Sequence, residues 1–195
     1  YFQSAMAGQS TVSDWSIGLV TGVPGIYMSA PIAADDGTPA AVLVAKLDVA
    51  PITELVTTAG TDDQVEFLIN EAGVVLLESG NNDSGLRTLT ELSPEDAAAI
   101  TASQQFANTS LTPMGLTDVR TAQETLRSGG TVVTNPFTYA GYVWVAALSK
   151  TSAEGWTVGV AVRADQITAQ LRMTTLVFLA FGAFMLVYIA LAVVF

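Results

Sequence analysis

Four side chains have the types and spacing to recognise a small anion: Thr21, Tyr27, Ser29 and Lys46. They come from a turn and two adjoining predicted strands, and together offer three hydroxyl groups and one cation. Such a set suits a small carboxylate, because hydrogen bonds to an ionised acceptor are the strong ones. Lys46 follows an almost wholly apolar stretch, so it reads as a charge at the end of a buried strand. The structural alternative is that its long stem carries the ammonium to solvent. A second alternative is a pairing with Asp48, which shares a strand face with Lys46 at period two.

Other polar clusters read as loops. Asp35-Asp36 and Asp62-Asp63 would be needed in pairs for acid/base or calcium chemistry. Adjacent residues do not converge on one point in an extended chain, and both doublets sit in turn-like sequence. Asn81-Asn82-Asp83-Ser84-Gly85 has oxygen donors without the calcium-loop spacing that ends in Glu. Trp144 and Trp156 fall on predicted paired strands and read as core residues. The chain has no His and no Cys. A Ser-His-Asp triad, a histidine or thiolate zinc site and a phosphoryl-accepting histidine are therefore excluded within it. No P-loop or GxGxxG pattern occurs. The residues imply no catalytic group, no metal and no cofactor.

The elements that must position these groups follow from periodicity and turn chemistry. Tyr1, Phe2 and Ala5 share a helical face, stopped by Gly8; YFQS also matches the remnant of a cleaved tag, and both readings stand. Asp14–Val20 is a short mixed segment around Trp15. Ile26–Ile32 and Ala40–Val49 read as a hairpin around Asp36-Gly37. Pro51–Ala59 reads as a short helix with Pro in its first turn. Val65–Asn70 and Val74–Glu78 form a second hairpin. Ser93-Pro94-Glu95-Asp96 has the chemistry of a helix start, with Ser93 as cap and acids in the first turn, and the helix continues over Ala97–Phe106. Val119–Arg127 fits a strand or a short helix. Thr131–Thr134, Gly141–Ser149 and Trp156–Val162 read as strands. The pattern is α+β, with antiparallel sheet covered on one face by helices. Asp165 is placed to cap a last helix running through Gln166–Arg172.

Charge and hydropathy set the boundary conditions. The 195 residues carry 18 acidic and 7 basic side chains, net −11, all before Leu176. That surface repels nucleic acid and anionic lipid, which removes nucleic-acid binding. Leu176–Phe195 is uncharged and apolar throughout. Twenty residues at about 1.5 Å each span roughly 30 Å, the thickness of a bilayer's hydrocarbon core. This predicts a transmembrane helix, which tethers a water-soluble domain by its C-terminal side.

The order of several motifs resembles one family. GVPGIYMSAPI, then a turn, then AAVLVAKLDVAPITEL is similar to the double Cache sensor regions of bacterial C4-dicarboxylate sensor histidine kinases. So are VEFLINEAGVVLLES, LRTLTELSPEDAAAI and LTPMG, and YFQSAMAG matches the family's Tyr-Phe, Ala, Gly helix pattern, which favours the native reading of that stretch. The resemblance implies PAS-like/Cache antiparallel sheet modules followed by a transmembrane helix. Residues 1–49 would be the second half of the membrane-distal, ligand-binding module. Residues 50–165 would be the membrane-proximal module, and 166–195 the juxtamembrane and transmembrane helix. By motif match, Thr21, Tyr27, Ser29 and Lys46 fall where family members line the ligand pocket. The family further implies a periplasmic location at the bacterial inner membrane, a homodimer, and a cytoplasmic kinase that lies outside these residues. The same sensor on a diguanylate cyclase or chemoreceptor is one alternative; a membrane-anchored envelope or adhesion domain without a small ligand is another.

Overall fold

The structure, a computed structural model, describes residues 2–80, 86–107, 109–126, 130–151, 155–169 and 174–181. The chain opens with helix α1 (Phe2–Met6), whose Ala5 is fully buried. Strands β1 (Thr11–Val12), β2 (Ser16–Ile17), β3 (Pro24–Ala33) and β4 (Pro39–Leu47) form a first sheet around β3. The β3–β4 hairpin is the expected one, and its turn is closed by Asp36, whose carboxylate accepts from Thr38 N and Oγ1. Helix α2 (Ala50–Ala59) follows, with Pro in the first turn and Asp48 accepting from Ala50 N.

Strands β5 (Gln64–Ile69), β6 (Val74–Glu78), β7 (Leu86–Thr88), β8 (Leu111–Pro113), β9 (Thr131–Val133), β10 (Phe137–Tyr139), β11 (Tyr142–Lys150) and β12 (Thr157–Arg163) build a second sheet. Its order is β10-β11-β12-β5-β6-β7-β8, with β9 also on β11. All the pairs are antiparallel except β7–β8. Helix α3 (Pro94–Ser103) is capped by Ser93, whose hydroxyl accepts from Asp96 N at 3.0 Å. Val119–Arg127, open between strand and helix, is helical where described: α4 (Thr117–Thr125) buries Val119 and Ala122 at helical spacing.

The second sheet is covered on both faces, not one. Side chains alternate along β5, so Phe67 and Ile69 point to one core while Leu68 points to another. The first core takes Leu116, Val119, Ala122 and Leu126 from the α4 region, and Leu89, Trp144 and Leu148. The second takes Val74, Leu76, Phe106 and Trp156, and is closed by Trp15, Ile26 and Val49 from the N-terminal part of the chain. The two tryptophans expected to be core are both buried, but in different cores. In sheet order three strands separate β10 from β6, yet the Tyr139 hydroxyl donates to Glu78, which also pairs with Arg87. The β10–β11 hairpin end therefore folds over the first core, where Tyr139 meets Phe67 edge-on.

Two further expectations need correction. Strand β4 is not buried: Leu43 is 62% and Leu47 53% exposed, because β4 is an edge strand that pairs only with β3 among the described strands. Asp165 does not precede the last helix. The helical turn over 164–169 already includes it, and its carboxylate binds Arg163 and Gln166 N. Residues 174–181 are helical, with Leu176, Val177, Phe178 and Leu179 exposed. Most of the expected Leu176–Phe195 span, its junction at 170–173, and the Asn81–Gly85 loop lie outside the described residues. Among the described residues no helix is long and apolar enough to cross a membrane.

Candidate functional site

The hairpin register sets the geometry of the predicted site. Tyr27 lies directly opposite Lys46, and Ser29 opposite Val44, so Tyr27, Ser29 and Lys46 share one sheet face. The Lys46 stem runs over Gly25, where an added Cβ would lie 2.3 Å from Cε. Its ammonium donates to Val23 O at 3.3 Å and stands 6.0 Å from the Tyr27 ring centroid. Lys46 is exposed and is the sole Lys or Arg among residues 1–86. Asp48, the alternative partner, is turned to Ala50 N instead.

Thr21 is drawn to the same place by a glycine. A side chain at Gly18 would lie 2.6 Å from Thr21 Oγ1 and 2.7 Å from the Tyr27 hydroxyl. Only a bare Cα lets both hydroxyls close around that position. Thr21 and Tyr27 line a cleft of about 560 Å³ together with Ser13, Asp14, Ser103 and Gln105. Ser29 does not join them. It is buried, shares a 2.8 Å hydrogen bond with Thr11 and borders a separate apolar pocket of about 340 Å³. The structure thus brings Thr21 and Tyr27 together in one cleft, leaves Lys46 against the Tyr27 ring but outside the cleft lining, and sets Ser29 beside a separate pocket.

The cleft has a wall that sequence reading missed. Asp14 Oδ1 accepts from Trp15 N at 2.7 Å and from Trp156 Nε1, while Oδ2 accepts from Gln105 Nε2 at 3.0 Å. Trp15 and Trp156 meet edge-to-face at 6.3 Å. These partners are 91 and 142 residues from Asp14, so no local pattern announces them.

At the far end of β12, Arg163 binds Asp165 through two nitrogens, pairs with Asp63 at 3.0 Å and stacks on Tyr142 at 4.1 Å. The guanidinium's hydrogen bonds hold the Asp165 carboxyl below the usual carboxylate range. Asp63, read as a solvated loop residue, is in this clamp, and its Oδ2 also accepts from Gln166. Among the described residues no group of three or more Asp or Glu is arranged to hold a metal ion.

The fold has solved counterparts. The sensor domain of the V. cholerae histidine kinase DctB matches with TM-score 0.62 at 16% identity, over 84% of this chain and 59% of that one. The ligand-binding domain of Mlp24 with asparagine matches with TM-score 0.54 at 12% identity, over 88% of this chain and 58% of that one. The structural neighbours are Cache-type sensor domains of DctB-like histidine kinases and chemoreceptors. At these identities the likeness is one of fold. The chain spans under three fifths of either neighbour's length. No family model and no curated protein matches the sequence.

Proposed function

We propose that this chain is the extracytoplasmic sensor of a membrane signal-transduction receptor, a two-component sensor histidine kinase that detects a small carboxylate such as a C4-dicarboxylate. The observation that carries the reading is the Tyr27–Lys46 register. It puts the one basic side chain of residues 1–86 against the ring of Tyr27, and Tyr27 in turn lines a cleft large enough for a small metabolite. Residues 1–49 act as the second half of the distal module, and the exposed apolar side chains of β4 fit a surface made for packing. Residues 50–165 are the proximal module. Residues 166–195 lead into the membrane helix at Leu176–Phe195, which tethers a periplasmic domain to the inner membrane, as a homodimer.

In this reading the carboxylate bridges Lys46 and the hydroxyls of Thr21 and Tyr27, with Ser29 lining the adjoining pocket. The ligand shifts the receptor only by its difference in affinity between two states. The fold's match to a domain solved with asparagine supplies a second probe. The test is thermal unfolding of the full chain with succinate and with asparagine. A ligand at a hundred times its Kd stabilises by about 2.7 kcal/mol. Lys46→Ala should abolish the shift in Tm. An unchanged shift in that variant rejects the assignment of Lys46.

A further inference from the structure

The cleft is bounded on one side by the first sheet's loop and on the other by the end of α3, an element of the second sheet's segment. Two of its lining residues, Asp14 and Gln105, are also the groups that bond the two parts together. Besides the Asp14 contacts, Gln105 Nε2 donates to Trp15 O at 2.9 Å, and Ile17 N donates to Gln105 O at 2.8 Å. The α3 end that presents Gln105 is held in an uncommon backbone. Gln104 and Ala107 both have positive φ, 52° and 51°, without being glycine. At Gln104 this is the left-handed residue that ends α3, its N–H donating to Thr101 O, and it turns Gln105 out of the helix.

We infer that Asp14 and Gln105 are a positioning pair that passes occupancy of the cleft to strand β12. Thr21, Tyr27 and these two side chains line the same cleft. Asp14 holds the Trp156 indole N–H, and Trp156 immediately precedes β12. β12 pairs with both β11 and β5, so it moves as part of the central sheet. Its last residue is Arg163, clamped to Asp63 and to Asp165 in the helical turn 164–169. The contact chain therefore runs from cleft to exit through one carboxylate, one indole and one strand. That the cleft takes a small ligand rests on the function proposed above; the joint itself does not.

A double-mutant cycle between the two ends tests the joint without ligand. Asp14→Ala and Arg163→Ala are measured singly and together in the full chain by urea unfolding. A transmitted coupling makes the combined change in the unfolding constant depart at least fourfold from the product of the single changes. Agreement with that product within about twofold, the scatter of independent sites, overturns the inference. If Asp14→Ala does not fold, Gln105→Ala takes its place in the cycle with the same criterion. Asp14→Asn is the control: its amide oxygen keeps an acceptor for Trp156, so its cycle with Arg163→Ala should be close to additive. A cycle that is equally non-additive for Asp14→Asn and Asp14→Ala also overturns the role of the Trp156 bond. Failure of succinate and asparagine to shift Tm would sink the ligand reading and leave this cycle decisive for the joint.

Discussion

Replacing Tyr139 by Phe removes the hydroxyl that fastens the β10–β11 hairpin over the first core. The ring keeps its contacts with Phe67 and Trp144, so no cavity opens. What is lost is the bond donated to the Glu78 carboxylate, a buried charged acceptor, worth about 1.5–3 kcal/mol, together with the longer 3.3 Å bond the hydroxyl accepts from Arg87. With a urea slope of roughly 2 kcal/mol per molar, a 2 kcal/mol loss lowers the unfolding midpoint by about 1 M. The pH profile gives an independent check. Burial, reinforced by the neighbouring Glu78 carboxylate, pushes the Tyr139 phenol up to about 12. A folded pKa above the unfolded value gives stability that is complete below pH 10 and lost as pH rises through 12. Two units correspond to at most about 2.7 kcal/mol, and solvent screening at this half-exposed group reduces that to about 1 kcal/mol. Wild type should lose that increment between pH 10 and 12, and Tyr139→Phe should not. Glu78 behaves with the same sign at lower pH. Burial raises its carboxyl against the opposing pull of Tyr139 and Arg87, so its contribution is present in acid and fades as pH climbs through its folded pKa. A midpoint for Tyr139→Phe within 0.2 M (about 0.4 kcal/mol at that slope) of wild type at pH 7, or an identical alkaline loss, would refute the pinned hairpin.

Other substitutions address separate links. Gly25→Ala puts a methyl where the Lys46 stem lies; the flexible lysine moves away, so urea stability should change by about 0.5 kcal/mol or less while the succinate-induced Tm shift falls. Ser93→Ala removes the α3 cap and should cost about 1 kcal/mol by the same unfolding assay. Leu89→Ala empties a fully buried position of the first core and should cost about 2–5 kcal/mol, with reduced cooperativity if the core fails to collapse around it.

Much of this architecture is written locally. The β6 boundaries, the α3 cap and both hairpins follow from alternation, a serine before proline, and turn residues at fixed offsets. The three-residue strands β7, β8 and β10 do not, because nothing in Leu-Arg-Thr or Phe-Thr-Tyr says extended until a partner pairs with it. Helix α4 stayed undecided for a related reason: Leu116 precedes it and offers no side-chain cap. At the site, the apposition of Tyr27 and Lys46 follows directly from a hairpin register. The pairing of Asp14 with Trp156 depends on packing two sheets whose contributing segments lie 142 residues apart. Burial was misjudged for β4 because apolar composition marks a surface that can be covered, not one that is.

The second core has a consequence for how this chain can change over generations. Trp15, Ile26 and Val49 share one apolar cluster with Leu68, Val74 and Trp156, so the border between residues 49 and 50 divides a sentence of packing midway. Grafting a different head onto residues 50–165 would leave Trp156 facing water and Leu68 half-covered. Change is therefore more readily accommodated in side chains around the cleft than by exchanging residues 1–49 as a block.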